Sequence, residues 1–182
     1  MSLTTSSHSD LLFFTDKGKA YQMKMYDLPE GKRATRGKSI MNFLQLVDGE
    51  KVTSILAMPK DVKAMAGISL MMITKEGTVK KSSADSFKDV RRNGLIAIRL
   101  EEKDELLAAL FVSDEDNVML TTQNGQSIRF NHTDVREMGR TAAGVIGMKL
   151  DKGDVIVAAD KVVTGVKGAE LLIMTANGYG KK

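Results

Sequence analysis

The apolar positions of this chain fall in short runs, each ended by a glycine-containing turn. LLFFTDKG, SLMMITKEG, NVMLTTQNG and LLIMTANG are four such runs, and each has a threonine three residues before its glycine. The pairs are Thr15/Gly18, Thr74/Gly77, Thr122/Gly125 and Thr175/Gly178. Runs of this length, cut by K-G, E-G or N-G, predict strands joined by tight hairpins. A second run follows each turn (KAYQMKMY, TVKKSS, QSIRFN), then a polar loop, then a run opening at Gly37, Gly94 or Gly144. In the later copies the alternations Ile96/Ile98/Leu100 and Ile146/Met148/Leu150 are expected to face the core, with Arg99 and Lys149 facing away. An acidic turn and a last apolar strand close each unit, at Leu46/Glu50, Leu100/Asp104 and Leu150/Asp154.

Units of about 50 residues with four strands each are a repeat architecture and match propeller blades in size. The units span about 10–58, 68–113, 116–163 and 168–182, the last breaking off in mid-blade. The predicted fold is therefore all-β, a propeller-like array of four-stranded blades. It is partial, about three blades plus the start of a fourth, in one domain over 10–182. A blade buries its faces only against neighbouring blades, so a longer parent array is expected. Residues 1–9 read as a disordered polar tail, with Met-Ser-Leu a remnant of cloning.

Composition narrows the chemistry. With 5% aromatic residues, the core must come from Leu, Ile, Val and the 12 Met. The absence of Cys removes disulfide scaffolds, thiol catalysis and Cys-based zinc sites. No apolar run approaches the ~20 residues that span a bilayer, and the first residues hold no apolar signal core, so a cytoplasmic protein is expected. Of the two His, His8 is in the tail and His132 is in a polar loop, with no partner for a metal site or a Ser-His-Asp arrangement. The segment GKRATRGKS at 31–39 imitates a phosphate-binding loop. It has five residues between its glycines where the motif needs four, and it lies between strands where the motif needs a helix start. No catalytic residue and no metal ligand is assigned.

The net charge of +4 is modest, so placement matters more than the total. The loops carry Lys32, Arg33, Arg36 and Lys38, then Lys88, Arg91 and Arg92, then Arg136 and Arg140. A second set, Lys80, Lys81, Arg129, Lys181 and Lys182, follows the turn glycines by three or four residues, and the first copy has Lys19 and Lys24 nearby. Taken singly, each reads as a solvated surface charge. In an array, equivalent positions lie along one rim, so recurrence predicts a positive track for the phosphates of double-stranded DNA. Sparse aromatics argue against a single-strand binder.

Four stretches carry a family resemblance: LLFFTDKGKAYQMKMYDLPEG with RATRGKSI, ITKEGTVKK with NGLIAIRL, SIRFNHTDVREMGRTAAGVIGMKL, and TANGYGKK. Together, over about residues 10–182, they resemble the C-terminal, DNA-wrapping domain of DNA gyrase A. The resemblance implies a β-pinwheel, six blades in the complete domain, whose basic rim bends duplex DNA. In the whole enzyme that wrap supports ATP-dependent negative supercoiling, with the remainder of gyrase A and with gyrase B as partners, at the bacterial nucleoid. It also implies that ATP and Mg belong to the whole enzyme and that this fragment needs no cofactor. The nucleophilic tyrosine belongs to a cleavage domain, so Tyr21, Tyr26 and Tyr179 inherit no catalytic role. The family's basic heptapeptide, Gln-Arg-Arg-Gly-Gly-Lys-Gly, is not in this chain and is expected upstream of Asp10. The corresponding C-terminal domain of topoisomerase IV therefore stays open as an alternative, as does a propeller-like protein-interaction scaffold.

Overall fold

The computed structural model describes residues 3–32, 34, 36–59, 65–91, 93–113, 115–163, 170 and 172–181. Its described elements are β-strands and short 3-10 turns, in four antiparallel sheets. The first sheet holds β1 (Asp10–Thr15), β2 (Lys19–Lys24), β3 (Val52–Ala57) and β6 (Leu95–Ile96) in the order β3-β1-β2-β6. The second has the order β10-β5-β4-β7, from β4 (Ser69–Thr74), β5 (Thr78–Ser83), β7 (Leu106–Val112) and β10 (Val145–Ile146). The third pairs β8 (Asp116–Thr122) with β9 (Ser127–Asn131) and β11 (Ile156–Val163), in the order β11-β8-β9. The fourth is the hairpin of β12 (Ile173–Met174) and β13 (Gly180–Lys181).

The threonine–glycine spacing has a direct structural use. Gly77 N–H donates to the Thr74 carbonyl at 3.2 Å, while Thr78 N–H donates to the Thr74 hydroxyl oxygen at 3.1 Å. The same pair of bonds recurs around Thr122, at 3.1 and 3.1 Å, and around Thr175, at 3.0 and 3.2 Å. The hydroxyl thus pairs the amide that a two-residue-wide turn would leave unbonded, and Thr74 and Thr122 are buried while doing so. The acidic turns fasten the last strand of a unit to this same hairpin. Asp104 Oδ1 accepts from Glu76 N and Glu105 N, and Asp154 Oδ1 accepts from Asn124 N and Val155 N. In the first sheet Glu50 turns inward and accepts from the hydroxyls of Thr15 (2.5 Å) and Tyr21 (3.0 Å).

The expectation that each sequence unit closes its own blade is corrected. β6 belongs to the second unit yet pairs with β2 of the first sheet, Ala20 opposite Leu95. β10 belongs to the third unit and pairs with β5 of the second sheet, Val145 opposite Val79. Past β6 the chain stays docked: Ala97 N–H and Ile98 N–H both donate to the Gly18 carbonyl, at 2.9 and 3.2 Å. Gly147 and Met148 do the same to the Gly77 carbonyl. The second and third units therefore lace themselves to the unit before them. The first-unit run KSIMNFLQL, expected as a strand, contains a 3-10 turn at Ile40–Asn42. Among the described residues no earlier sheet offers it an edge, so Leu44 and Leu46 instead cover the outer face of β1 and β2, against Leu11, Phe13 and Tyr21.

The same exchange corrects the alternation. Ile98 and Met148 are buried and Arg99 and Lys149 exposed, as expected. Ile96 and Ile146, however, are 55% and 76% exposed, because β6 and β10 are the outermost strands of their sheets.

Two apolar clusters lie between sheets. Leu12, Phe14, Leu70, Met72, Phe87 and Ile98 join the first to the second, and Met71, Ile73, Val118, Leu120 and Ile156 join the second to the third. Full burial of side chains of this size stabilises by roughly 1.5–3 kcal/mol each. At the inner side, β3 packs on β7 and β7 on β11. Ser54 Oγ on β3 accepts Ala109 N–H from β7 at 3.0 Å. The opposite, outer side carries β6, β10 and the basic loops.

Candidate nucleic-acid interface

The second and third basic loops are each fastened to a neighbouring strand. The second opens with a 3-10 turn, Ala84–Phe87, whose Phe87 ring is buried edge-to-face against Phe14. Its Val90 N–H donates to Gln22 Oε1 on β2 at 2.9 Å, which leaves Arg91 exposed just beyond. The third starts at Asn131, whose side chain accepts Thr133 N–H while Asp134 accepts Asn131 N–H, a reciprocal cap on the turn His132–Asp134. Lys81 Nζ then donates to the His132 carbonyl at 3.0 Å, Ser82 Oγ to the Met138 carbonyl at 2.8 Å, and Lys80 Nζ to the Arg140 carbonyl.

The predicted basic residues separate into distinct environments. Lys32, Arg36 and Lys38 of the first loop, Arg91 of the second, and Arg136 and Arg140 of the third are exposed. Arg129 on β9 and Lys181 on β13 are exposed as well, and Lys19 is half-buried at the β2–β6 edge. Arg33, Arg92 and Lys182 lie outside the described residues. Lys80 and Lys81 are buried, so their charge is spent on main-chain carbonyls inside the fold and is withdrawn from the surface track. Burial, and then the Arg140 guanidinium, push the Lys80 ammonium down to about 8. Lys24 is ion-paired to Asp10 at 2.7 Å, a bond that holds its ammonium above the usual range, and Lys88 is paired to Asp85 at 2.6 Å.

Two adjoining clefts bring part of this set together, whereas Lys32, Arg36, Lys38, Arg129, Arg136 and Lys181 line neither. One holds Lys24, Lys88 and Arg91 together with Asp10, Asp27 and Asp89. The next is lined by Arg91, Arg140, Asp89 and Asn93. Arg91 belongs to both, so cations from three successive units follow one another along the outer side, interleaved with carboxylates. The loop anchors Gln22 and Ser82 carry no charge, and nothing in their residue type marks them in the sequence. Their one signal is register, since Gln22 stands where Lys81 and Arg129 stand in the next two units. Among the described residues there is no cluster of three or more metal-ligating side chains, and no helix long and apolar enough to cross a membrane.

Comparison with known proteins agrees with this architecture. The family model described as DNA gyrase C-terminal domain, beta-propeller, matches residues 9–57, 69–113, 116–162 and 169–182. DNA gyrase A of Staphylococcus epidermidis is 38% identical over 180 residues, 99% of this chain, and that of Staphylococcus aureus is equally similar. The chain spans 20% of the length of these relatives. Among solved structures, a DNA gyrase A C-terminal domain superposes with TM-score 0.76 at 29% identity, covering 97% of this chain and 54% of that one. The C-terminal domain of a DNA topoisomerase IV gives TM-score 0.78 at 26% identity, covering 88% of this chain and 49% of that one. With the matched segments taking in all four described sheets but for Val163 at the end of β11, this chain belongs to the family of DNA gyrase A C-terminal domains.

Proposed function

We propose that this chain is a DNA-binding and DNA-wrapping module of a type II topoisomerase, a DNA gyrase A, which bends duplex DNA around its outer side. The observation that carries the reading is the meeting of Arg91 and Arg140, from successive units, in one cleft beside Lys24 and Lys88. Side chains repeated at one radius suit a polyanion that follows a curve, and neutralising its phosphates releases counterions without reading sequence. The strand exchange supports the same reading, because lacing the second and third units to the unit before them holds the cationic loops in fixed succession.

In the whole enzyme the module works with the remainder of gyrase A and with gyrase B, at the bacterial nucleoid, in support of ATP-dependent negative supercoiling. ATP and Mg act there, and the module itself takes no cofactor. The superposition on a topoisomerase IV domain favours that enzyme as a second parent; a basic heptapeptide in the reading frame ahead of Asp10 would decide for gyrase.

The test is the charge reversal Arg91→Glu/Arg136→Glu/Arg140→Glu, read by duplex-DNA affinity over a salt series. The unsubstituted chain should bind duplexes of different sequence alike and lose affinity steeply with salt, and the variant should lose most of its binding. A flat salt response would overturn the reading. Unchanged DNA affinity in the variant, with loss of a protein partner, would favour the interaction-scaffold class.

A further inference from the structure

Lys80 is a lysine with no exposed surface, in β5 opposite Met72 of β4. Its ammonium donates to the Ala97 carbonyl at 2.7 Å and to the Arg140 carbonyl. These two acceptors arrive from different units. Ala97 lies just past β6, three residues after Gly94 at the end of the second basic loop, and Arg140 lies in the third loop. The loop ends they anchor line one cleft, where Arg91, Asn93 and Gly94 face Arg140. At the same register the first sheet has Tyr21, bonded to Glu50, the third has Ile128, and the fourth has Lys181, which is exposed, so among the described sheets a buried lysine strut occurs in the second alone.

We propose that Lys80 is the positioning residue of the outer cleft: by gripping the Ala97 and Arg140 carbonyls together, it sets Arg91 and Arg140 at the spacing that receives a DNA phosphate. The proposal rests on the DNA-binding reading above and adds a group that never touches DNA. An ammonium suits the task because it has three donors and no acceptor, so it bonds two carbonyls at once, and its long stem spans the width of a strand.

The arrangement makes the cleft sensitive to pH. The charged groups around Lys80 are Arg140 and, along the same cleft, Arg91 and Asp89; β4 presents Met72, and on β10 Val145 stands opposite the neighbouring Val79. Burial and the Arg140 charge together push the Lys80 ammonium down to about 8. A phosphate held between Arg91 and Arg140 offsets that repulsion, so phosphate binding and retention of the Lys80 proton favour each other. The charge-assisted grip is complete below that value and weakens as pH rises through it.

Fluorescence anisotropy with a duplex of about 40 base pairs, from about pH 6.5 to 9.5, tests this on the full chain. Affinity of the unsubstituted chain should fall by roughly fivefold or more across that range. Lys80→Arg, whose charge does not titrate, should keep its affinity to the alkaline end, and Lys80→Met should bind weakly and without a pH profile. A flat profile in the unsubstituted chain, or a parallel fall in Lys80→Met, overturns the proposal. Amide hydrogen exchange without DNA keeps the two readings apart. At fixed pH, residues 136–142 should exchange faster in Lys80→Met by about tenfold and be restored in Lys80→Arg, while β8 stays unchanged. Unaltered exchange in that loop overturns the positioning role, whereas altered exchange with no DNA binding at any pH overturns only the wrapping function.

Discussion

The carbonyl oxygen of Met148 stands 2.5 Å from the point where a β-carbon on Gly77 would lie. The turn of the second sheet and the segment laced in from the third unit are thus in backbone contact, and the Gly77 carbonyl accepts two amides from that segment. Gly125 occupies the same place in its own turn, with φ +87 against +85, and has nothing within 4 Å. The two glycines share a backbone conformation and differ in what covers them.

Substituting both by alanine separates the two demands. Gly125→Ala should cost only the left-handed backbone, about 1 kcal/mol. Gly77→Ala should cost about 3 kcal/mol, since it adds displacement of residues 147–148 and weakening of two hydrogen bonds worth about 1 kcal/mol each. Urea unfolding of the two variants measures the difference, and equal losses would contradict the interlock.

Ser54→Ala tests the inner seam. It removes the acceptor for the buried Ala109 N–H, and a buried donor left unpaired costs about 1–3 kcal/mol. Denaturant midpoints should drop accordingly, with no change in DNA affinity at a salt concentration where the fold is intact.

Acid should destabilise the first and third sheets in a defined window. Burial pushes the Asp116 carboxyl upward, but the Ser113 amide and hydroxyl together with Lys161 outweigh it and hold it below the usual range. Glu50 is likewise opposed by burial and held low by Thr15, Val47, Tyr21 and Lys19. A carboxyl lowered in the folded state contributes stability above its unfolded value, near 4, and that contribution disappears as pH falls through the folded value. Melting temperatures should therefore be level down to about pH 5 and fall below about pH 4. Asp116→Asn should be less stable at neutral pH and show a shallower acid fall.

Ion-paired and unpaired cations of the rim should contribute unequally. Lys24 is held by Asp10, so Lys24→Ala frees a carboxylate as it removes a cation, whereas no salt bridge to Arg91 is found among the described residues. If Arg91 contacts a phosphate, Arg91→Ala should lower the slope of log affinity against log salt by about 0.9. The comparison variant Asp10→Asn should raise affinity, and a fall would place the duplex away from this cleft.

Much of this protein is written in local pattern. A glycine that turns with positive φ and, at Thr74, Thr122 and Thr175, a threonine that bonds the amide four residues on act within one hairpin, so the Thr–Gly spacing reveals the repeat without any tertiary information. The four units, the all-β class and the exposed loop arginines Arg91, Arg136 and Arg140 follow from the same short-range regularity. Tertiary structure alone decided which sheet β6 and β10 join. The hydrogen bonds of Leu95–Ile96 and Val145–Ile146 satisfy equally well against either neighbouring edge as far as their own residues are concerned, and the edge offered by the preceding unit took them. Burial of Lys80 and Lys81 was likewise beyond the pattern, because a lysine in an exposed strand and a lysine bonded to carbonyls 60 and 51 residues away look alike until those carbonyls are brought to it.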